Sequence, residues 1–434
     1  MDKLFLDVHH VTRVEGHGNI VIDVREGQIK ELKLEIVESP RFFEAMLLDR
    51  HAFSAPHITC RICGICSISH SCSSLKAVEE AMGIGLSDYS SSLRLLMLYG
   101  EILQSHILHA FFLALPDFFN APDTFSLMSS HPEAVKAGLS LKKMANLICG
   151  AGAGRHIHPI SMVPGGFASY PSREALVKLR DELLAREKQI EAMVELFSSL
   201  KVPDAERETE YVSLGNTGRY EVYEGYIVSS RGWKIKNTEY LNKVREKIVS
   251  HSTAKHSHTG MNAYMVGALA RFNNNFEHLN RHGAAAAAAF GMKPVCNNPF
   301  KINFAQVIEI VHFYYESLKS LDWLIQNSAQ AQKPGETESL RQSGEGVGIV
   351  EAPRGLLIHN YTVQDSKIKS ANCVIPTAQN LENIEKDLYK FIPEILGKMD
   401  EEGIRMFSEM LVRAYDPCIS CSAHVLDMKF LNGK

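Results

Sequence analysis

Arg61-Ile62-Cys63-Gly64-Ile65-Cys66, read together with Asp416-Pro417-Cys418-Ile419-Ser420-Cys421, decides how this chain is organised. Each stretch carries two thiols three positions apart, the spacing at which one local turn presents both sulfurs to a single ion. Gly64 removes a side chain between the sulfurs, and Pro417 stiffens the approach to the second pair. Four thiolates select soft or borderline metals: zinc, copper(I), nickel or iron. The pairs lie roughly 350 residues apart, so one four-sulfur site requires the two ends of a large fold to meet. A structural four-cysteine zinc protein without redox activity is the alternative that spacing alone leaves open. Two features weigh against it. Zinc ribbons close over short loops, and here Arg61, His70, Asp416 and His424 stand beside the cysteines, as around a working metal site.

The rest of the chain sets the class. Of 434 residues, 45% are apolar and 22% charged, which excludes disorder as the main state. Lys plus Arg is 46 and Asp plus Glu is 50, a formal net charge of -4. There is no basic excess for nucleic acid. Nine cysteines is an odd number, so they cannot all be paired in disulfides. Residues 1–7 show no charged-then-apolar secretory pattern, and Arg94, Glu101, Gln104, His106 and His109 interrupt the apolar stretch 93–115. The expectation is a cytoplasmic chain with no transmembrane segment.

Periodicity predicts a mostly helical α+β chain. Residues 19–24 and 29–37 flank Arg25-Glu26-Gly27-Gln28 as a hairpin. Helical spacing runs through 90–115, 172–200, 238–249, 306–325, 381–396 and 403–412. Six alanines within 282–290 favour another helix. Residues 355–363 and 367–375 form a second hairpin, and 333–348 reads as a linker rich in Gly, Glu and Ser.

The sequence resembles the large, catalytic subunit of nickel–iron hydrogenases over essentially its whole length. The resemblance is carried by both cysteine motifs, the second extending to His424, and by three further stretches. These are Thr12-Arg13-Val14-Glu15-Gly16-His17, Gly154-Arg155-His156-Ile157-His158-Pro159 and Glu351-Ala352-Pro353-Arg354-Gly355. Ser105-His106-Ile107-Leu108-His109 through Leu113-Ala114-Leu115-Pro116-Asp117 looks most like the cytoplasmic, cofactor-coupled group of methyl-viologen-reducing, deazaflavin-reducing or sulfhydrogenase type. The fold implied is a central bundle of long helices with small peripheral β-sheets, residues 1–424 forming one domain. The reaction implied is reversible heterolytic cleavage of dihydrogen.

The resemblance implies a role for each matched residue. Cys63 and Cys418 would be terminal nickel ligands, and Cys66 and Cys421 would bridge nickel to an iron carrying carbonyl and cyanides. The proton would go either to the Cys418 thiolate or to Arg354, which Asp117 and Asp416 would hold by charge-assisted hydrogen bonds. A guanidinium is a poor base, so the alternative role of Arg354 is to polarise bound ligand. Glu15 would be the proton gate; without the motif it would read as a salt-bridge partner of Arg13. His70 would donate to a bridging sulfur, and Thr377 and the backbone after Pro353 would bond the cyanides. Glu44, the Cys373 carbonyl and His424 would hold a structural magnesium ion, or iron, since histidine is an unusual partner for so hard a cation. Cys60, Cys72, Cys149, Cys296 and the Cys373 thiol are expected to be buried bystanders.

No iron–sulfur spacing remains once the four cysteines are assigned, and no Gly-rich dinucleotide fingerprint follows a strand. Electrons would therefore leave through an iron–sulfur small subunit and further electron-acceptor subunits. The resemblance also implies that residues 425–434 form a C-terminal peptide removed by a maturation protease.

Overall fold

Alternating side chains build the first sheet. The computed structural model describes residues 3–260, 262–331, 335 and 340–424. Strand β1 (Lys3–Val8) buries Leu4, Leu6 and Val8 and pairs antiparallel with β2 (Gly18–Arg25). The chain then turns through Glu26 and Gly27, both left-handed (φ 53° and 70°), into β3 (Gln28–Ile36). Two positive φ values match the twist that a two-residue hairpin requires. The predicted hairpin is present, and β1 adds a strand that periodicity had not marked.

The helical body follows. Helix α1 (Ser67–Met82) begins directly after Cys66 and buries almost every side chain. Helix α2 (Asp88–Ile107) is capped by Ser87, whose Oγ accepts the Ser90 N–H at 3.2 Å. The helix expected over 90–115 widens into a π-helical stretch at Leu108–Ala114 before a short α turn, Leu115–Phe118. Helix α3 (Pro132–Ala153) lies against α2, so closely that a Cβ on Gly100 would sit 2.7 Å from Ile148. The helix expected over 172–200 is two helices, α4 (Arg173–Leu184) and α5 (Glu187–Ser198). The break at Ala185 and Arg186 keeps Leu176, Leu179 and Leu183, then Ile190, Met193 and Phe197, on the core side of each.

One helix prediction is wrong. Over 238–249 the chain forms a 3-10 turn, Asn237–Asn242, and then a strand. In the middle region β4 (Glu210–Gly215) and β5 (Tyr226–Ser229) pair antiparallel, and β6 (Val244–Lys247) pairs with β7 (His256–Thr259). Pairing with β7 and burial of Val244 override a helical spacing that rested on few apolar residues. Helices α6 (Ala268–Asn275) and α7 (Arg281–Ala289) lead into the 25-residue α8 (Ile302–Gln326), which packs on α2.

The last sheet is β8 (Gly344–Ala352), β9 (Gly355–Gln364) and β10 (Lys367–Val374), all antiparallel. The linker expected over 333–348 lies partly outside the described residues, and its end is strand β8. Gly344, Gly346 and Gly348 line one face of β8, against the backbone of α1. A Cβ on each would come within 2.3, 2.0 and 1.8 Å of the carbonyl oxygens of Ala81, Ala77 and Ser73. Alternate strand positions thus meet successive turns of one helix face, and only glycine permits that approach. Helices α9 (Pro376–Ile395) and α10 (Glu401–Ala414) complete the body. No described helix is long and apolar enough to cross a membrane.

Candidate metal centre

The first cysteine pair sits between a short helix, Ala55–Thr59, and α1. Arg41 fixes this loop: Nη1 donates to Ile62 O at 2.6 Å and Nη2 to Arg61 O at 3.2 Å. The second pair follows α10. Asp416, left-handed at φ 51°, turns the chain, and the Cys418 N–H donates to Thr377 Oγ1 at 2.9 Å at the start of α9. Residues 15 and 418 bridge in parallel, with the Ile419 N–H donating to Glu15 O at 2.9 Å. The N-terminal segment and the C-terminal segment therefore close one site.

The four sulfurs lie within 4.8 Å of one another and are buried. Cys63 Sγ is 3.4 Å from Cys418 Sγ, Cys66 Sγ is 3.7 Å from Cys421 Sγ, and Cys418 and Cys421 Sγ are 2.7 Å apart. Metal–sulfur bonds of about 2.3 Å allow sulfurs on one ion to stand up to about 4.6 Å apart, so the donor set fits a thiolate-bound metal. The thiols oppose one another's ionisation. Hydrogen bonds from Cys418, Cys421 and Cys66 hold Cys63 well below the ordinary thiol range, whereas burial, then Cys418, pushes Cys421 well above it. A dication among four such sulfurs favours the thiolate form of all of them.

A small enclosed pocket adjoins the sulfurs. Ala352, Leu357, Ile375 and Pro376 form its apolar wall, and His70, Arg354 and Thr377 its polar side. Arg354 is 5% exposed. Its Nε donates to Asp416 O at 2.6 Å, Nη2 to Asp416 Oδ1 at 2.7 Å and Nη1 to Ser105 Oγ at 3.2 Å. Burial would lower its pKa, but Asp416 and the cysteine sulfurs outweigh that and hold the guanidinium charged. Asp416 is steadied in turn by Gln306, whose Nε2 donates to Oδ2 at 3.2 Å.

Asp117 departs from its expected place. It pairs with Arg13 and with Arg413, at 2.9 Å to Nε, instead of holding Arg354. The position at Arg354 that Asp117 was expected to fill is taken by Ser105. Since Arg13 is engaged by Asp117, Glu15 turns to the cysteines: Oε2 accepts from Cys418 Sγ at 3.2 Å and from the Ser420 N–H at 3.1 Å.

His70 lines the pocket, but its Nδ1 meets His359 Nε2 at 3.1 Å, and His359 Nδ1 meets Tyr361 Oη at 2.6 Å. Burial pushes the His70 ring down to about 4, so it is neutral at pH 7. Thr377 Oγ1 accepts the Cys418 N–H while the side chain faces the pocket. The Pro353 carbonyl accepts from Arg271 Nη2 at 2.9 Å.

Glu44 and Cys373 come together, with the Cys373 N–H donating to Glu44 Oε1 at 2.8 Å. Lys255 Nζ stands 3.9 Å from the same oxygen. His424 is buried, and neither of its ring nitrogens has a hydrogen-bond partner among the described residues, a fit to a metal ligand. The peptide 425–434 lies outside the described residues.

Sequence reasoning missed Ser105, Arg271, Glu309 and His359. Arg271 is fully enclosed: Nε and Nη2 grip Glu309 at 2.7 and 2.6 Å, and Nη1 donates to Glu351 Oε2 at 2.8 Å and Ala352 O at 3.0 Å. His106 Nε2 joins Glu309 Oε2 at 2.7 Å. The signal available was charged residues within apolar helical spacing, which must be paired if buried.

Residues 41–138 and 301–424 match the nickel-dependent hydrogenase family. Sulfhydrogenase 2 subunit alpha of Pyrococcus furiosus is 36% identical, over 98% of this chain and 100% of its own. The NAD-reducing hydrogenase HoxS subunit beta of Cupriavidus necator is 28% identical, over 98% and 95%. Among solved structures, a NAD+-reducing [NiFe]-hydrogenase in the H2-reduced state superposes with a TM-score of 0.87 at 28% identity, over 97% of this chain and 99% of that one. With four buried sulfurs brought together from its two ends, an enclosed pocket beside them and these relatives along its length, the chain belongs to the nickel-dependent hydrogenase family.

Proposed function

We propose that residues 1–424 act as one domain, the hydrogen-activating subunit of a cytoplasmic nickel–iron hydrogenase. Cys63, Cys66, Cys418 and Cys421 would hold nickel, with Cys66 and Cys421 bridging to an iron that carries carbonyl and cyanides. When bound, this centre supplies the Lewis-acid and redox chemistry that polarises dihydrogen and takes up its electrons.

The chain's own residues handle the proton. Arg354 is clamped by Asp416 at two nitrogens and stays charged, so it orients and polarises rather than accepting a proton. Cys418 Sγ is the base, and Glu15 Oε2, 3.2 Å away, takes the proton on. Glu15 is only half-buried, which gives the proton a way outward. Ala352, Leu357, Ile375 and Pro376 exclude water. Thr377 and the backbone after Pro353 would bond the cyanides. Glu44, the Cys373 carbonyl and His424 would hold Mg2+ or Fe2+, for which the unpartnered His424 ring is the supporting observation.

Electrons would leave to an iron–sulfur small subunit and then to further acceptor subunits. Residues 425–434 would be removed by a maturation protease. A structural zinc protein is disfavoured, because a closed four-thiolate site has no use for an adjoining pocket with a charged arginine.

The observation that carries this reading is the convergence of Arg354, Asp416 and Glu15 on the four sulfurs. The purified complex should reduce a dye with hydrogen, and the single chain should not until a cluster-bearing partner is added. Full activity of the single chain would overturn the partner assignment.

A further inference from the structure

A second group of metal-ligating side chains lies away from the sulfurs, where the first sheet meets α9. His251 and His256 come from the connection between β6 and β7 and the start of β7, and Glu385 comes from the middle of α9. One ligand atom from each lies within 4.8 Å of the others. The three line a pocket of ≈ 280 Å³ that opens to solvent.

Glu385 is oriented by the fold. Its Oε1 accepts the Leu34 N–H of β3 at 3.0 Å and meets His251 Nε2 at 2.8 Å. A carboxylate held by a backbone N–H is how proteins aim a metal ligand. Its Oε2 faces His256 Nδ1 at 3.9 Å, beyond hydrogen-bond reach. His256 is 1% exposed, and its Nε2 has no hydrogen-bond partner among the described residues. Two metal–ligand bonds of about 2.0–2.2 Å each span the 3.9 Å between His256 Nδ1 and Glu385 Oε2.

Four charged side chains line the pocket, two of each sign. Glu382 lines it too, but Lys247 Nζ holds Glu382 Oε2 at 2.8 Å, so both are spent on each other. Lys386 stands on the lining as well. Glu385 is left as the carboxylate facing two imidazoles.

We propose that His251, His256 and Glu385 form a zinc(II) site that ties α9 to the β6–β7 connection and β3. Two imidazoles, one carboxylate and a solvent position make a four-coordinate set suited to zinc. The tie is structural. Thr253 already bonds the end of β3, its N–H donating to Ile36 O at 3.0 Å, and the ion extends that anchorage to the helix whose first turn bonds Cys418. The site is made by these three side chains and is independent of the chemistry at the four sulfurs.

The test is metal analysis of the purified complex, grown with zinc and washed free of loose ions, beside His251→Ala, His256→Ala and Glu385→Gln. Wild type should carry about one zinc per chain beyond its nickel and iron. Each variant should lose most of that zinc with nickel and iron unchanged. Zinc X-ray absorption should show nitrogen and oxygen neighbours only. After chelation, added Zn2+ should raise the melting temperature of wild type and not of His251→Ala. His251 is on the pocket rim, so this variant keeps the test valid should His256→Ala misfold. Absence of zinc above background, zinc retained in His251→Ala, or sulfur neighbours would each overturn the proposal.

Discussion

Glu15 Oε2 lies 3.2 Å from Cys418 Sγ, although 403 residues separate them. The same oxygen accepts the Ser420 N–H, and the Glu15 carbonyl accepts the Ile419 N–H. The Ser420 N–H therefore holds the carboxylate beside Cys418 Sγ, where the proposed relay needs it. Glu15→Gln keeps the shape and removes the relay. It should lower hydrogen–deuterium exchange with solvent by about 100-fold or more while nickel content stays the same. Exchange at the wild-type rate would remove Glu15 from the route.

Arg354 and Asp416 form the second relationship. Arg354→Lys keeps the charge but loses the two-nitrogen clamp on Asp416 and the bond to Ser105. Hydrogen uptake should fall by about 10–100-fold with nickel retained. Ser105→Ala should have a smaller effect in the same assay, because it removes one neutral bond.

Arg271 is buried between Glu309 and Glu351 and also holds the carbonyls of Ala352 and Pro353, next to Arg354. Arg271→Met removes the cation that Glu309 and Glu351 share and should destabilise the chain by about 3–5 kcal/mol, read as a lower denaturation midpoint. A midpoint within error of wild type would contradict the network described.

The same cluster sets a pH dependence. Burial would raise Glu309, but Arg271 and His106 outweigh it and hold its pKa at about 2, below the ordinary 4.5. A depressed carboxylate contributes stability that is full above the unfolded value and is lost as pH falls through the folded one. The stability gap between wild type and Glu309→Gln should therefore narrow as pH drops from about 4.5 towards 2, measured by urea denaturation at each pH.

Much of this was legible in the sequence, for physical reasons. The two C-x-x-C stretches demanded that the chain ends meet, and the strands around Gly27 and around residues 364–366 announced themselves by alternation and turn residues. The glycine stripe of β8 was not legible, because 344–348 reads locally as a flexible linker. Only the facing helix α1 shows that those glycines serve close packing. The strand at Val244–Lys247 was hidden because its partner, not its own spacing, decides it. Asp117 was misplaced because motif position fixes a residue along the chain but not which arginine it will meet.

The stripe itself can be tested. Gly348→Ala would put a methyl group 1.8 Å from Ser73 O and force α1 away from β8. Stability should fall by several kcal/mol, as when a packed core is overfilled. Gly150→Ala, in α3 with nothing within 4 Å, should be neutral or stabilising by up to about 1 kcal/mol. Equal effects of the two would contradict the packing.

In the proposed enzyme the four sulfurs joined from both parts of the chain hold nickel. Nickel-edge X-ray absorption on the purified complex tests it most directly. The prediction is one nickel per chain in a sulfur-dominated shell, lost in Cys418→Ser. A nickel-free protein with zinc among the four sulfurs, or nickel bound by nitrogen and oxygen alone, would contradict it.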